Sequence, residues 1–231
     1  MARRVPEDRI EQLVDAATAL FIERGYAGTQ MADVAAALGV AQGTLYLYVE
    51  SKEALFDLVA RRADALRSAE TQPHLPIRTP KPGATVEYVR ERLAQGQVPP
   101  TLAQALSRQR VADVRAEFEA IVRELYDLLA SNRRGIKLLD RTARDYPELA
   151  ALWFDGARAG LVTLLSKYIE DRMRRKLLRP VPDATVAARL VIETTVFWAV
   201  HRHWDPHPQS VEEAVAKETV VRFVVSALTK E

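Results

Sequence analysis

Gln42, Thr44, Tyr46 and Tyr48 fall within seven residues, and Lys52 follows four positions later. These side chains carry the donors and acceptors that pair with base edges and phosphates. An amide such as that of Gln42 can bond adenine bidentately, and threonine and tyrosine hydroxyls can donate to phosphate oxygens. Their neighbours Ala41 and Gly43 are small enough for the backbone to approach a base edge. Such groups act together only if something rigid holds them, and the surrounding residues 31–50, MADVAAALGVAQGTLYLYVE, have the layout of a helix-turn-helix. Ala35 lets two short helices cross closely, and Gly39, four positions on, tolerates the positive φ of the turn. Val40 and Leu45 then pack the second helix on the first. Ala41, Gln42, Gly43, Thr44, Tyr46 and Tyr48 are left on exposed faces.

The elements that position this motif are helical. Ile10, Leu13, Val14, Ala17 and Phe21 recur on one face of a helix, which Gly25 ends with a left-handed stop. Thr29 is the expected N-cap of a second helix bearing Met31, Val34, Ala35 and Leu38. A third helix is expected over 42–48. A fourth opens at the N-cap Ser51 and runs towards residue 70, carrying Leu55, Leu58, Val59 and Leu66. Residues 71–83 hold no stripe and read as a loop after the first domain and its connecting helix. Helices resume at 84–96, 112–131, 133–144, 147–177, 183–203 and 210–229, with Pro180, Pro182, Pro206 and Pro208 marking breaks. No run alternates with period two long enough for a secure strand. The expected fold is all-α: a helix-turn-helix domain over 1–50, its motif extending to about 62, and a larger helical domain over 51–231.

Residues 10–62 resemble the N-terminal domain of the TetR/AcrR family of bacterial transcriptional regulators. The resemblance rests on Phe21, Gly25-Tyr26, Thr29, Ala35, Gly39-Val40, Gly43-Thr44-Leu45-Tyr46, Tyr48 and Ser51-Lys52-Glu53-Ala54-Leu55. It implies that Thr29, Tyr48 and Lys52 grip phosphates, with Gln30 beside them. It also implies that Gln42 and Thr44 reach bases and that Tyr46 touches either. Val49 departs from the family, where phenylalanine is frequent. The resemblance further implies a homodimeric, effector-responsive regulator, a repressor in most members, that reads a pseudo-palindromic operator. Beyond residue 62 the chain resembles the family only in length and helical character.

Charge runs against this picture. The 231-residue chain has a formal net charge of +2, yet residues 1–62 hold seven Lys/Arg against nine Asp/Glu. DNA-binding domains ordinarily show a basic footprint. Contacts must come from local placement, because charges act over a Debye length of about 8 Å. Arg3 and Arg4 can serve as a minor-groove arm, and a shallow salt dependence is expected.

Composition narrows the remaining classes. The chain contains no cysteine, which excludes disulfide scaffolds, thiolate metal sites and cysteine nucleophiles. There is no G-x-S-x-G, P-loop, H-E-x-x-H or G-x-G-x-x-G motif, so nothing calls for catalysis or a cofactor. His201, His203 and His207 invite a metal reading. Residues two apart on a helix diverge by about 200°, so these are expected to bind none. The clusters Arg133–Arg144 and Arg172–Arg179 read as solvated helix faces. No stretch is expected to span a bilayer, Leu190–Val200 being too short and interrupted by Glu193. The Met1-Ala2-Arg3-Arg4 start lacks a following apolar segment, and the protein is expected in the cytoplasm.

Two features concern the larger domain. Leu66, Tyr88, Phe118, Tyr126, Trp153, Phe154 and Phe197 are candidates to line a cavity for a small, largely apolar effector, with the 71–83 loop at its entrance. Helices 183–203 and 210–229 are apolar around most of their circumference, which predicts burial against a second copy in a four-helix interface. The alternative is an all-α small-molecule carrier whose helix-turn-helix does not function.

Overall fold

The computed structural model describes residues 7–63, 74–96, 98–108 and 110–230. Among these, helices run in the order α1 (Glu7–Gly28), α2 (Met31–Ala37), α3 (Gln42–Leu45), α4 (Lys52–Arg62), α5 (Ala84–Ala94), α6 (Pro100–Ser107), α7 (Val114–Ser131), α8 (Arg133–Thr142), α9 (Pro147–Ala150), a π-helical stretch Ala151–Arg158, α10 (Ala159–Arg174), α11 (Ala184–Ala199) and α12 (Glu213–Leu228). The only β pairing among the described residues is two isolated bridges, Val49 with Ile77 and Leu178 with Thr229, so the all-α expectation holds. Arg3, Arg4 and Leu66 lie outside the described residues.

The chain packs as two compact units, residues 1–95 with 134–153, and residues 96–133 with 154–231. In the first, Leu13, Val14, Ala17 and Phe21 of α1 are buried as the stripe requires, with Val34, Ala35, Leu45, Leu55 and Val59 of the next three helices. Each fully buried side chain of this size contributes about 1.5–3 kcal/mol. Gly25 adopts φ 79° at the predicted stop. A Cβ there would lie 2.7 Å from Asp145 Oδ2, so a side chain at this position would displace that carboxylate as well as strain the backbone. Ser51 caps α4, its Oγ accepting from Ala54 N at 3.1 Å.

Four expectations about the elements are corrected. Thr29 is not the N-cap of α2; Gln30 is, and the Asp33 carboxylate accepts from its backbone N–H at 2.9 Å. The third helix is only one turn, Gln42–Leu45, continued by turns through Tyr48. Helix α6 lies between 96 and 112, where no helix is expected; Pro100 occupies its first helical turn, where its missing N–H costs nothing. The run Pro147–Arg174 is long and apolar enough to cross a membrane by length and composition, with mean hydropathy 1.2 over an 18-residue window. Its apolar side is used inside the second unit, where Leu165, Tyr168 and Ile169 are buried. Arg158, near its middle, pairs with Glu193 at 3.0 Å.

The second unit has α7, α10, α11 and α12 at its centre. Arg172 is not on a solvated face as expected: it is 2% exposed. Its guanidinium donates to Glu117 at 2.9 Å and to the carbonyl of Ala105 at 3.0 Å. Eight large apolar side chains are exposed among the described residues, and five of them, Val186, Leu190, Phe197, Val215 and Phe223, lie on α11 and α12. The spacing of Val186, Leu190 and Phe197 puts them on one face, as does that of Val215 and Phe223.

Candidate nucleic-acid interface

Most of residues 41–47 are exposed. Gln30, Ala41, Gln42 and Gly43 are exposed, Thr44 and Tyr48 half-buried, and Tyr46 is 43% exposed. Leu45, fully buried, and Val40, half-buried, anchor the run from behind. Gly39 takes φ 66°, and Val40 N donates to Ala35 O at 3.0 Å, closing the turn. Leu47 is 67% exposed, and sequence reasoning passed over it. A leucine between two tyrosines in a helical pattern looks like core, but the one-turn helix α3 leaves it outside. An apolar side chain there suits contact with a thymine methyl.

Thr29 and Lys52 are held differently from what the resemblance implies. The Thr29 hydroxyl is buried and donates to Gly25 O at 2.7 Å; it braces the turn between α1 and α2 and is not free to reach a phosphate. Lys52 Nζ sits 4.4 Å from the centre of the Tyr26 ring and donates to Ala27 O at 3.4 Å. Its ammonium is thereby fixed at the start of α4, half-buried.

Tyr26 belongs to an aromatic cluster with Phe21, Phe56 and Tyr146, at centroid distances of 5.9, 5.2 and 4.8 Å. Burial pushes the Tyr26 phenol well above its ordinary pKa, and Tyr146 and Glu53 push it further; it stays neutral at any physiological pH. Asp145 accepts from Ala27 N at 2.9 Å, and Arg134 pairs with Asp15 at 2.7 Å. Residues 134–153 therefore brace α1 and α4, and the Arg133–Arg144 cluster is in part a set of structural contacts. The Asp33 carboxylate is held below its usual range by the Gln30 N–H, with Arg24 adding to the effect at 3.0 Å.

Of the 71–83 loop, residues 71–73 lie outside the described residues, and 74–83 meet the end of the helix-turn-helix. Ile77 N donates to Tyr48 O at 2.8 Å, Glu50 N donates to Ile77 O at 3.0 Å, and Thr79 N donates to Glu50 Oε2 at 2.9 Å. The segment is laced to the end of the helix-turn-helix, and Val49, fully buried, lies at this junction.

Residues 13–59 match the model for bacterial regulatory proteins of the tetR family. This segment, about a fifth of the chain, is of the tetR type. The chain is 42% identical over 53 residues to the HTH-type transcriptional repressor KstR2 of Rhodococcus jostii, covering 23% of this chain and 26% of that protein. The match thus spans about a quarter of the curated relative's length. The fold of the whole chain is similar to that of the ketosteroid transcriptional regulator KstR2 of Mycobacterium tuberculosis, with TM-score 0.58 at 16% identity, covering 99% of this chain and 98% of that one. It is also similar to AibR in complex with isovaleryl coenzyme A and operator DNA, with TM-score 0.52 at 21% identity, covering 93% and 97%.

The effector candidates divide between the units. In the first, Tyr88 is half-buried with the Arg61 guanidinium 4.4 Å from its ring centre, and Trp153 Nε1 donates to Asp140 at 2.6 Å. In the second, Phe118 stacks on Tyr168, and the Tyr126 hydroxyl donates to Glu213 at 2.9 Å. Burial, with Glu213 adding to it, pushes the Tyr126 phenol up to about 12. Phe154 is half-buried. Phe197 is on the exposed face of α11, so it is not placed to line an enclosed cavity.

Proposed function

We propose that the protein is a homodimeric, effector-responsive transcriptional repressor that binds a pseudo-palindromic operator. The observation that carries this reading is the rigidly backed, exposed run Ala41–Tyr48 within a tetR-type segment. Each protomer offers this run to a major groove. Two copies related by a twofold axis read half-sites about one helical turn, roughly 34–36 Å, apart. Residues 1–50 do the reading, and residues 51–231 supply the dimer contacts and the effector site.

The apolar faces of α11 and α12 support the dimer. Monomers rarely leave a contiguous patch of this kind uncovered, and a twofold pairing of two helices from each copy buries it. A small effector with an apolar portion acts by preferring the form whose half-site spacing does not fit DNA. Operator affinity then falls by the effector's differential binding energy. The likeness to AibR supports trying acyl thioesters of coenzyme A first. No catalytic step is needed, and the protein works where the genome is, in the cytoplasm.

Selection of bound fragments from random duplex DNA tests the reading. The expected outcome is a motif with two inverted half-sites. Recovery of unselected sequence, with and without candidate effectors, overturns it.

A further inference from the structure

The helix-turn-helix is short of cations. Of the five described Lys/Arg before position 63, Arg24 is tied to Asp33 at 3.0 Å and Arg61 to Asp57 at 2.8 Å, while Arg9 lies near the start of α1, bonded to Gln12, and Arg62 at the C-terminal end of α4. Lys52 is spent partly on the Tyr26 ring. A surface that approaches a polyanion needs positive charge at its edge, where the phosphates of the groove walls lie.

The segment after α4 brings that charge back. Ile77 is bridged to Val49, with its backbone bonded to Tyr48 and Glu50. Two residues on, Thr79 is bonded to Glu50 and has its Oγ1 2.7 Å from Ser51 Oγ. Arg78 sits between these two anchors, so its Cα is about 3.8 Å from each neighbour's. In extended backbone, successive side chains point to opposite faces. Ile77 is half-buried and Arg78 is exposed. Lys81 follows, also exposed, just before α5. Neither Arg78 nor Lys81 meets a carboxylate among the described residues.

We propose that the 77–81 segment is a second DNA-backbone contact, with Arg78 as its principal phosphate ligand and Lys81 as an accessory one. It flanks Tyr48 and the start of α4, the edge of the motif where phosphates approach. Arg78 supplies the fork of N–H donors that suits a phosphate. The segment reads no bases. It adds affinity and fixes the angle at which the Ala41–Tyr48 run enters the groove. The inference rests on the regulator reading and extends the DNA-binding surface beyond the 13–59 match.

The test is the salt dependence of operator binding by the full-length protein, followed by fluorescence anisotropy on the selected duplex. Arg78→Ala is expected to weaken binding about five- to tenfold on operator and on scrambled duplex alike, as loss of a phosphate contact does. The slope of log affinity on log salt should fall by about 0.9 for each contact removed, hence by about 1.8 for the two copies in a dimer. Arg78→Lys should restore the slope, and the melting temperature should not change in either variant. An Arg78→Ala/Lys81→Ala protein that binds operator with the wild-type affinity and slope overturns the inference while leaving the regulator reading intact. A wild-type protein that binds no duplex overturns both.

Discussion

Replacing Gln42 and Tyr46 together by alanine is expected to lower operator affinity by at least about a thousandfold, measured by anisotropy on the selected duplex. A good base contact discriminates by about 1–3 kcal/mol, each 1.4 kcal/mol is tenfold, and a dimer loses both contacts twice. Both side chains are exposed, Tyr46 by 43%, and neither anchors the core. The melting temperature and the sedimentation coefficient should therefore stay at their wild-type values. The contrast is Leu45, which is fully buried; Leu45→Ala opens a cavity costing about 2–5 kcal/mol and lowers stability first. Full operator affinity in the Gln42/Tyr46 variant would move the protein to the carrier class.

The second large effect concerns assembly. Leu190→Glu with Phe223→Glu places charges at positions 64% and 69% exposed in the protomer. Each protomer loses no buried contact, so circular dichroism and cooperative unfolding should persist. In the dimer the same carboxylates would be desolvated without partners, which is expensive. Sedimentation should show half the wild-type mass at micromolar concentration. Operator affinity should fall by about 10²–10⁴, the gain that linking two reading modules confers. A variant that remains dimeric would remove α11 and α12 from the interface.

Much of the first unit was legible because its signals are local. The stripe Ile10 to Phe21 is the buried face of α1, Gly25 and Gly39 take the positive φ their positions demand, and Ser51 is the cap. The apolar girth of α11 and α12 likewise showed that each carries more apolar surface than one buried face takes up. What escaped the sequence is non-local. Nothing in the spacing of Asp145 or Tyr146 tells that they return to Ala27 and Tyr26, more than a hundred residues earlier. Nor does it tell that Ile77 pairs with Val49.

The site was legible as an exposed run but not in its supports. Thr29 carries the right chemistry for a phosphate, yet its hydroxyl satisfies a buried carbonyl. Local propensity cannot say which of two partners a hydroxyl takes. Arg172, counted among surface cations, is buried because Glu117 lies across the core from it. The charge deficit of residues 1–62 was visible. Its remedy was not, because Arg78 stands outside the motif and reaches it only through the backbone bonds of Ile77 and Thr79.

Hydroxyl-radical footprinting of the full-length protein on its selected duplex tests the central claim most directly. The account predicts two protected patches on one face of the helix, related by a dyad, with centres about 10–10.5 base pairs apart. A single patch, or protection without any preferred position, would contradict it.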